Sequence, residues 1–151
     1  MKQESIDELE QIISKYAARL SQLSEDEFLL KPSPDKWSKK ELLGHLVDSV
    51  QNNTRRFIVA QYEENPHIVY AQDFWVTATA YQHYYTADLV ALWVLLNKHA
   101  CRVLQNISEE AAKRACLTSE LHSIEWLAAD YNKHLLHHLH QILNLEPVAY
   151  P

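Results

Sequence analysis

The chain has a single glycine, Gly44, in 151 residues, and that scarcity excludes more folds and chemistries than any residue present. Tight hairpin turns and left-handed connections draw on glycine, so an all-β architecture of many short strands is disfavoured. Gly44 also lies inside a stretch of helical periodicity. Phosphate-cradling loops, dinucleotide fingerprints and the GxSxG nucleophile elbow each need two or more glycines at set spacing, and all are excluded together. A helical protein remains.

Four long segments repeat apolar residues with that period. Ser5 and Glu8 form a possible capping box ahead of the first, Ile6–Leu23, where Leu9, Ile12, Ile13, Tyr16 and Leu20 share a face. Ser24 with Glu27 opens a short turn that stops before the prolines of "KPSPDKW". Ser38 with Glu41 caps the second long helix, Lys39–Tyr62, with Leu42, Leu43, Leu46, Val50 and Phe57 facing inward. Glu63–Tyr85 has no clean period and is crowded with aromatic residues, as expected of a long connection that covers a core or walls a site. Thr86 is the expected cap of the third helix, Ala87–Ile107. Ser123 is that of the fourth, Ile124–Leu145, which Pro147 ends. This order predicts an all-α four-helix bundle with one or two crossovers, in one domain spanning residues 1–151.

Composition narrows the function. The formal charge is -6, and Lys and Arg gather into nothing larger than short pairs such as Lys39-Lys40 and Arg55-Arg56, so no basic face is expected to bind nucleic acid. The longest apolar runs, such as "LVALWVLL", cannot span a bilayer, and the first residues lack the pattern of a signal peptide, so a cytoplasmic protein without membrane attachment is expected. Cys101 and Cys116 form no CxxC pair and read as packing residues in a reducing compartment.

Histidine is the one reactive residue type that clusters. Four of nine histidines fall in "HLLHHLH", His134 to His140. At about 100° per residue, His138 lies inside the apolar arc of Leu135, Leu139 and Ile142 and His134 lies on its edge, whereas His137 and His140 point to the solvated side. His45 sits at the margin of the second helix's apolar face, where Ser49, Asn52, Asn53 and Arg56 continue a polar strip. Two imidazoles one turn apart and a third from a facing helix make a facial ligand set with positions open for water or substrate. Spacing alone leaves a second reading, in which these are hydrogen-bonded core histidines. Paired Glu-x-x-His motifs of di-iron bundles and the HExxH of zincins are both missing.

The stretches "DKWSKKELLGHLVDSVQNNTRRF" and "DYNKHLLHHLHQI", with "DFWVTATAY" and "LVALWVLLNKH" between them, resemble the DinB/YfiT-like family of metal-binding four-helix proteins over nearly the whole chain. The most specific parts are the tryptophan-serine opening with its downstream histidine and the closing H-x-x-x-H-L-x-Q-I. The resemblance implies an up-up-down-down bundle. Its divalent ion, zinc or nickel first and iron or manganese as alternatives, would be held by the matching His45, His134 and His138.

Further roles follow from that resemblance. It implies a metal-dependent enzyme acting on a small molecule, either a thiol (S-)transferase using a low-molecular-weight thiol or a hydrolase, in a protein expected to form a homodimer. The alternative is a non-catalytic metal-binding or interaction bundle. Asn52, Asn53 and Arg56 are expected to orient a polar or anionic group, and Tyr70, Trp75 and Tyr131 to wall the site. Asp48 and Asp130 are candidates to orient the histidines, and Trp93 and Trp126 are read as core.

Overall fold

The computed structural model describes residues 1–151. Its four long helices are α1 (Lys2–Ser21), α3 (Lys39–Val59), α5 (Thr86–Asn106) and α6 (Ile124–Ile142), with short helices α2 (Glu25–Leu29) and α4 (Gln72–Thr79) in the connections. Capping governs several of these boundaries as the sequence predicts. Ser24 and Ser38 each accept the backbone N–H three residues on while Glu27 and Glu41 accept in return, and Ser123 accepts from Trp126 N.

Two expected caps differ, for tertiary reasons. Ser5 lies inside α1 and its hydroxyl donates to Met1 O, because the helix starts a turn earlier, where the buried Lys2 amine donates to Ile107 O at the end of α5. Thr86 is the first helical residue of α5. Its hydroxyl donates to the Glu25 carboxylate at 2.5 Å, a charged acceptor that outcompetes the local backbone.

α1 packs against α5 and α6, and α3 packs against the same two, so α1 and α3 occupy one diagonal of the bundle and α5 and α6 the other. At one end, Glu25 just past α1 holds both Lys40 at 2.9 Å, near the start of α3, and Thr86 at the start of α5. At the other end Ile6, Phe57, Leu104 and Ile124 share a buried cluster. The helices therefore run up, down, down and up. This corrects the up-up-down-down order implied by the resemblance. The reason lies in the first connection: α2, its capping box and the pairs Lys40–Glu25 and Lys31–Glu41 keep the chain at the end where α1 finishes. Residues 60–85 make the one lengthwise crossover.

That crossover is more ordered than expected. α4 lies on α3, and the antiparallel pair β1 (Ala115–Leu117) and β2 (Leu121–Ser123) fastens the lower end through Ile68 N to Leu117 O and Leu117 N to Pro66 O. Neither strand is foreseen by periodicity, since three residues carry no usable pattern. With glycine absent from the turns, three other residues take left-handed backbone, Asn65, Ala80 and Asn144. The buried aromatic core contains Trp93, Tyr16, Phe28 and Phe57, while Cys101 and Cys116 are buried free thiols, as expected of packing residues. No helix is long and apolar enough to cross a membrane.

Candidate metal centre

α3 is the helix that carries buried polarity. From Leu43 to Val50 it is covered all round, by α5 and α6 on its bundle side and by the crossover on the other. Gly44 makes the second cover possible. A Cβ there would fall on the ring of Tyr81, well inside the 3.0 Å that Cβ contacts keep. Tyr81 thus lies directly on the α3 backbone and donates its hydroxyl to Asp48 at 2.5 Å. His45, Asp48, Ser49, Asn52 and Asn53 are all buried as a result.

His45 meets α6 where His134 and His138 stand one turn apart. The structure brings these three together: one nitrogen from each lies within 4.8 Å of the others, and His45 Nε2 is 3.1 Å from His134 Nε2. The second nitrogens define the tautomers. His138 Nδ1 is 2.8 Å from Gln141 Oε1, which can only accept, so Nδ1 donates and the neutral ring has its lone pair on Nε2. His134 Nδ1 is 3.4 Å from Ser49 Oγ, whereas His45 Nδ1 is buried without a partner.

The electrostatics keep these rings neutral. Burial, with His138 nearby, pulls His45 down to about 4. Burial and the neighbouring His138, His45 and His137 pull His134 to about 3. Burial also lowers His138, against the raising effect of the hydrogen bond it donates to Gln141. Neutral imidazole is the form a metal requires. Two nitrogens each about 2.1 Å from one ion stand roughly 3 Å apart, so the 3.1 Å approach of two Nε2 atoms fits a shared cation.

Acid should act against this arrangement. On unfolding, His45 and His134 return to about 6.5, so on going below that pH the unfolded chain takes up two protons that the folded chain refuses. Asp48 opposes them: burial raises its carboxyl to about 6 from 3.8, so between those values the folded chain holds one proton more. The net is one proton. The metal-free protein is therefore expected to lose stability as pH falls from 6 to 4, by about 1.4 kcal/mol per pH unit. His138 steepens the loss. Urea midpoints measured across this range check it; a midpoint that stays flat or rises toward pH 4 would contradict the burial of neutral rings.

The expected orienting carboxylates are engaged elsewhere. Asp48 accepts from Tyr81, and its other oxygen has no partner, while Asp130 accepts the Tyr150 hydroxyl at 2.6 Å. Ser49 and Gln141 take the place beside His134 and His138.

A cavity of about 580 Å³ adjoins His134 and Ser49, lined by Asn53, Arg56, Tyr70, Tyr131, Asp130, Trp126 and Tyr150 among others. Arg56, Tyr70 and Tyr131, named as candidates from the sequence, lie in this lining. Asn52 and Trp75 do not line it: the Asn52 amide turns back to Asp48 O, and Trp75 packs edge-on behind Tyr70 at 5.7 Å. Trp126, read as core, is 41% exposed, stacks on His122 with centroids 3.5 Å apart and faces the cavity. Trp93 is fully buried.

His137 and His140, read as solvated, are half-buried anchors for the tail after α6. His137 Nδ1 donates to Val148 O at 2.6 Å, and His140 Nδ1 to Glu146 O at 2.7 Å, while Tyr16 donates to His140 Nε2 at 3.1 Å. The tail lays Tyr150 against His134, 5.3 Å between rings. A second cavity, about 640 Å³, reaches His138 and Gln141 from the other side beside Trp37.

A sequence model of the DinB superfamily matches residues 8–142. The chain belongs to the DinB superfamily. Among solved structures, this DinB-superfamily chain superposes on YfiT from Bacillus subtilis, described as a probable metal-dependent hydrolase with an unusual four-helix bundle topology. The TM-score is 0.84 at 22% identity, over 95% of this chain and 84% of that one. It also superposes on the mycothiol-dependent maleylpyruvate isomerase with TM-score 0.71 at 17% identity, over 99% of this chain and 62% of that one. Identities this low establish the shared fold alone. No curated protein sequence matches the chain.

Proposed function

We propose that this DinB-superfamily protein is a metal-dependent enzyme acting on a small molecule, by thiol (S-)transfer or by hydrolysis, with His45, His134 and His138 as the ligands of one divalent ion. The observation that carries this reading is the convergence of three neutral imidazoles, two of them with Nε2 atoms 3.1 Å apart, beside a polar cavity. A divalent ion supplies Lewis-acid polarisation and lowers the pKa of a thiol or water. The chain's own part is positional. Ser49 and Gln141 orient two of the rings, Tyr70, Tyr131 and Tyr150 wall the cavity, and Asn53 and Arg56 offer polar contacts at its far end. Trp75 backs this lining through Tyr70, while Asn52 turns its amide to Asp48 O within α3.

The thiol reading draws on the neighbour described as mycothiol-dependent, and the hydrolytic one on the neighbour described as a probable metal-dependent hydrolase. Imidazole ligands suit zinc or nickel, with iron and manganese as alternatives. The same reading takes the protein to be cytoplasmic and homodimeric, the latter supported by an exposed apolar strip of Ala87, Ala91 and Leu95 on α5 beside α1.

Activity should track occupancy. With zinc or nickel titrated from zero to one per chain, thiol conjugation or ester and amide hydrolysis is expected to rise in proportion and to stop under chelator. Full occupancy with no turnover in either assay would overturn the enzymatic reading and leave a bundle that only binds metal.

A further inference from the structure

Arg56 is a half-buried guanidinium that makes no ion pair; the four ion pairs of the protein involve Lys2, Lys31, Lys40 and His122. Its Nε and Nη2 donate to Ile68 O at 3.1 and 3.0 Å, and Nη1 donates to Asn53 Oδ1 at 3.3 Å. A guanidinium has five N–H donors, so one on each terminal nitrogen is left without a protein acceptor, the fork that fits a carboxylate. The two acids lining the same cavity are used elsewhere: Asp130 accepts from Tyr150, and Glu120 lies 3.8 Å from His122. Burial pulls the guanidinium's pKa down, and the nearby Asp130 carboxylate offsets only part of that cost.

Arg56 is also linked to the histidines. Asn53, which accepts from it, donates Nδ2 to Ser49 Oγ at 3.3 Å, and Ser49 Oγ is 3.4 Å from His134 Nδ1. This file of side chains runs along one wall of the cavity. From Ser49 to Arg56 it climbs seven residues of helix, a rise of about 10 Å.

We propose that Arg56 is a carboxylate subsite, and that the substrate of the centre carries a carboxylate about 10 Å from the atom presented to the histidines. The proposal rests on reading His45, His134 and His138 as that centre. A single cation among the lining residues selects a monoanion over a phosphate dianion, and the Tyr70 ring, 5.9 Å from the guanidinium carbon, holds the fork in place.

The test uses the full chain, chelator-treated and zinc-loaded. Binding of glutarate and of its neutral diamide, glutaramide, is followed by NMR in the chelator-treated wild type, in Arg56→Gln and in Arg56→Lys. Glutarate is expected to bind and glutaramide not; Arg56→Gln should weaken glutarate about tenfold or more, and Arg56→Lys less. The zinc-loaded wild type then receives mercaptoalkanoic acids of graded length and matching alkanethiols. The acids should bind about tenfold tighter than the thiols once the chain is long enough to span the file, and Arg56→Gln should erase that preference. Equal binding of glutarate and glutaramide by the wild type would overturn the subsite, whatever the fate of the variants. Thiols that bind zinc with no preference for the acid would overturn the subsite and leave the centre standing. Glutarate selectivity in a protein that holds no zinc would keep the carboxylate site and overturn the reading beneath it.

Discussion

His134→Ala should remove the capacity to retain a divalent ion while leaving the bundle folded. His134 is the most connected of the three rings: its Nε2 faces His45 Nε2 at 3.1 Å, its Nδ1 faces Ser49, and it is neutral because it is buried. Losing an outer partner of a metal ligand costs about 10–100-fold in affinity, and losing the ligand itself should cost more. A ligand present at a hundred times its Kd stabilises a protein by about 2.7 kcal/mol. For a chain of this size that is a rise in Tm of about 5–10 °C. The wild type should show that rise with zinc and carry about one ion per chain by elemental analysis. His134→Ala should show neither, with an unchanged helical circular dichroism spectrum. Equal metal content in the two proteins would dismiss the three-histidine centre.

Gly44→Ala should be the most damaging conservative change in the chain. Alanine is ordinarily the better helix former by about 1 kcal/mol, and an exposed helical glycine would gain from the exchange. Here the new methyl has nowhere to go, because the Tyr81 ring occupies its place. Displacing that ring overpacks the interface between α3 and the crossover and takes the hydroxyl from Asp48, whose second oxygen already lacks a partner. Overpacking at about 1–3 kcal/mol and a stranded buried acceptor at a similar figure outweigh the gain in propensity. A net loss of about 3 kcal/mol, or about 6–12 °C in Tm, is expected. Metal retention should fall too, since His45 is the next residue. A double-mutant cycle with Tyr81→Ala checks the cause: the two changes should be far from additive, and additivity would place the damage elsewhere.

What could be read in advance was what depends on neighbours in sequence. The capping boxes at Ser24 and Ser38 involve residues three apart, and His134 and His138 share a face because helical geometry puts them there. His45 could be joined to them because its margin of polar residues runs beside an apolar stripe. Where distant partners decide, sequence periodicity misleads. Ser5 is a sound local cap displaced by Lys2 reaching Ile107, and Thr86 is another drawn away by Glu25. Trp126 lies in the first turn of α6, where the facing group is His122 of the adjoining strand rather than another helix, so a helical wheel assigns it wrongly to the core. His137 and His140 look solvated on such a wheel because it omits the segment that returns over them. The order of helix directions is likewise fixed by Glu25 bonds between separate elements.

That returning segment has a practical corollary. Since Val148 and Tyr150 are moored to His137 and Asp130, any polypeptide continuing beyond Pro151 would emerge at the rim of the Arg56 cavity. A polyhistidine affinity handle fused there would bring surplus imidazoles beside the native trio and could compete for its ion. Fusion ahead of Met1 avoids this, because Lys2 pins that end to Ile107, among residues that do not line the cavity.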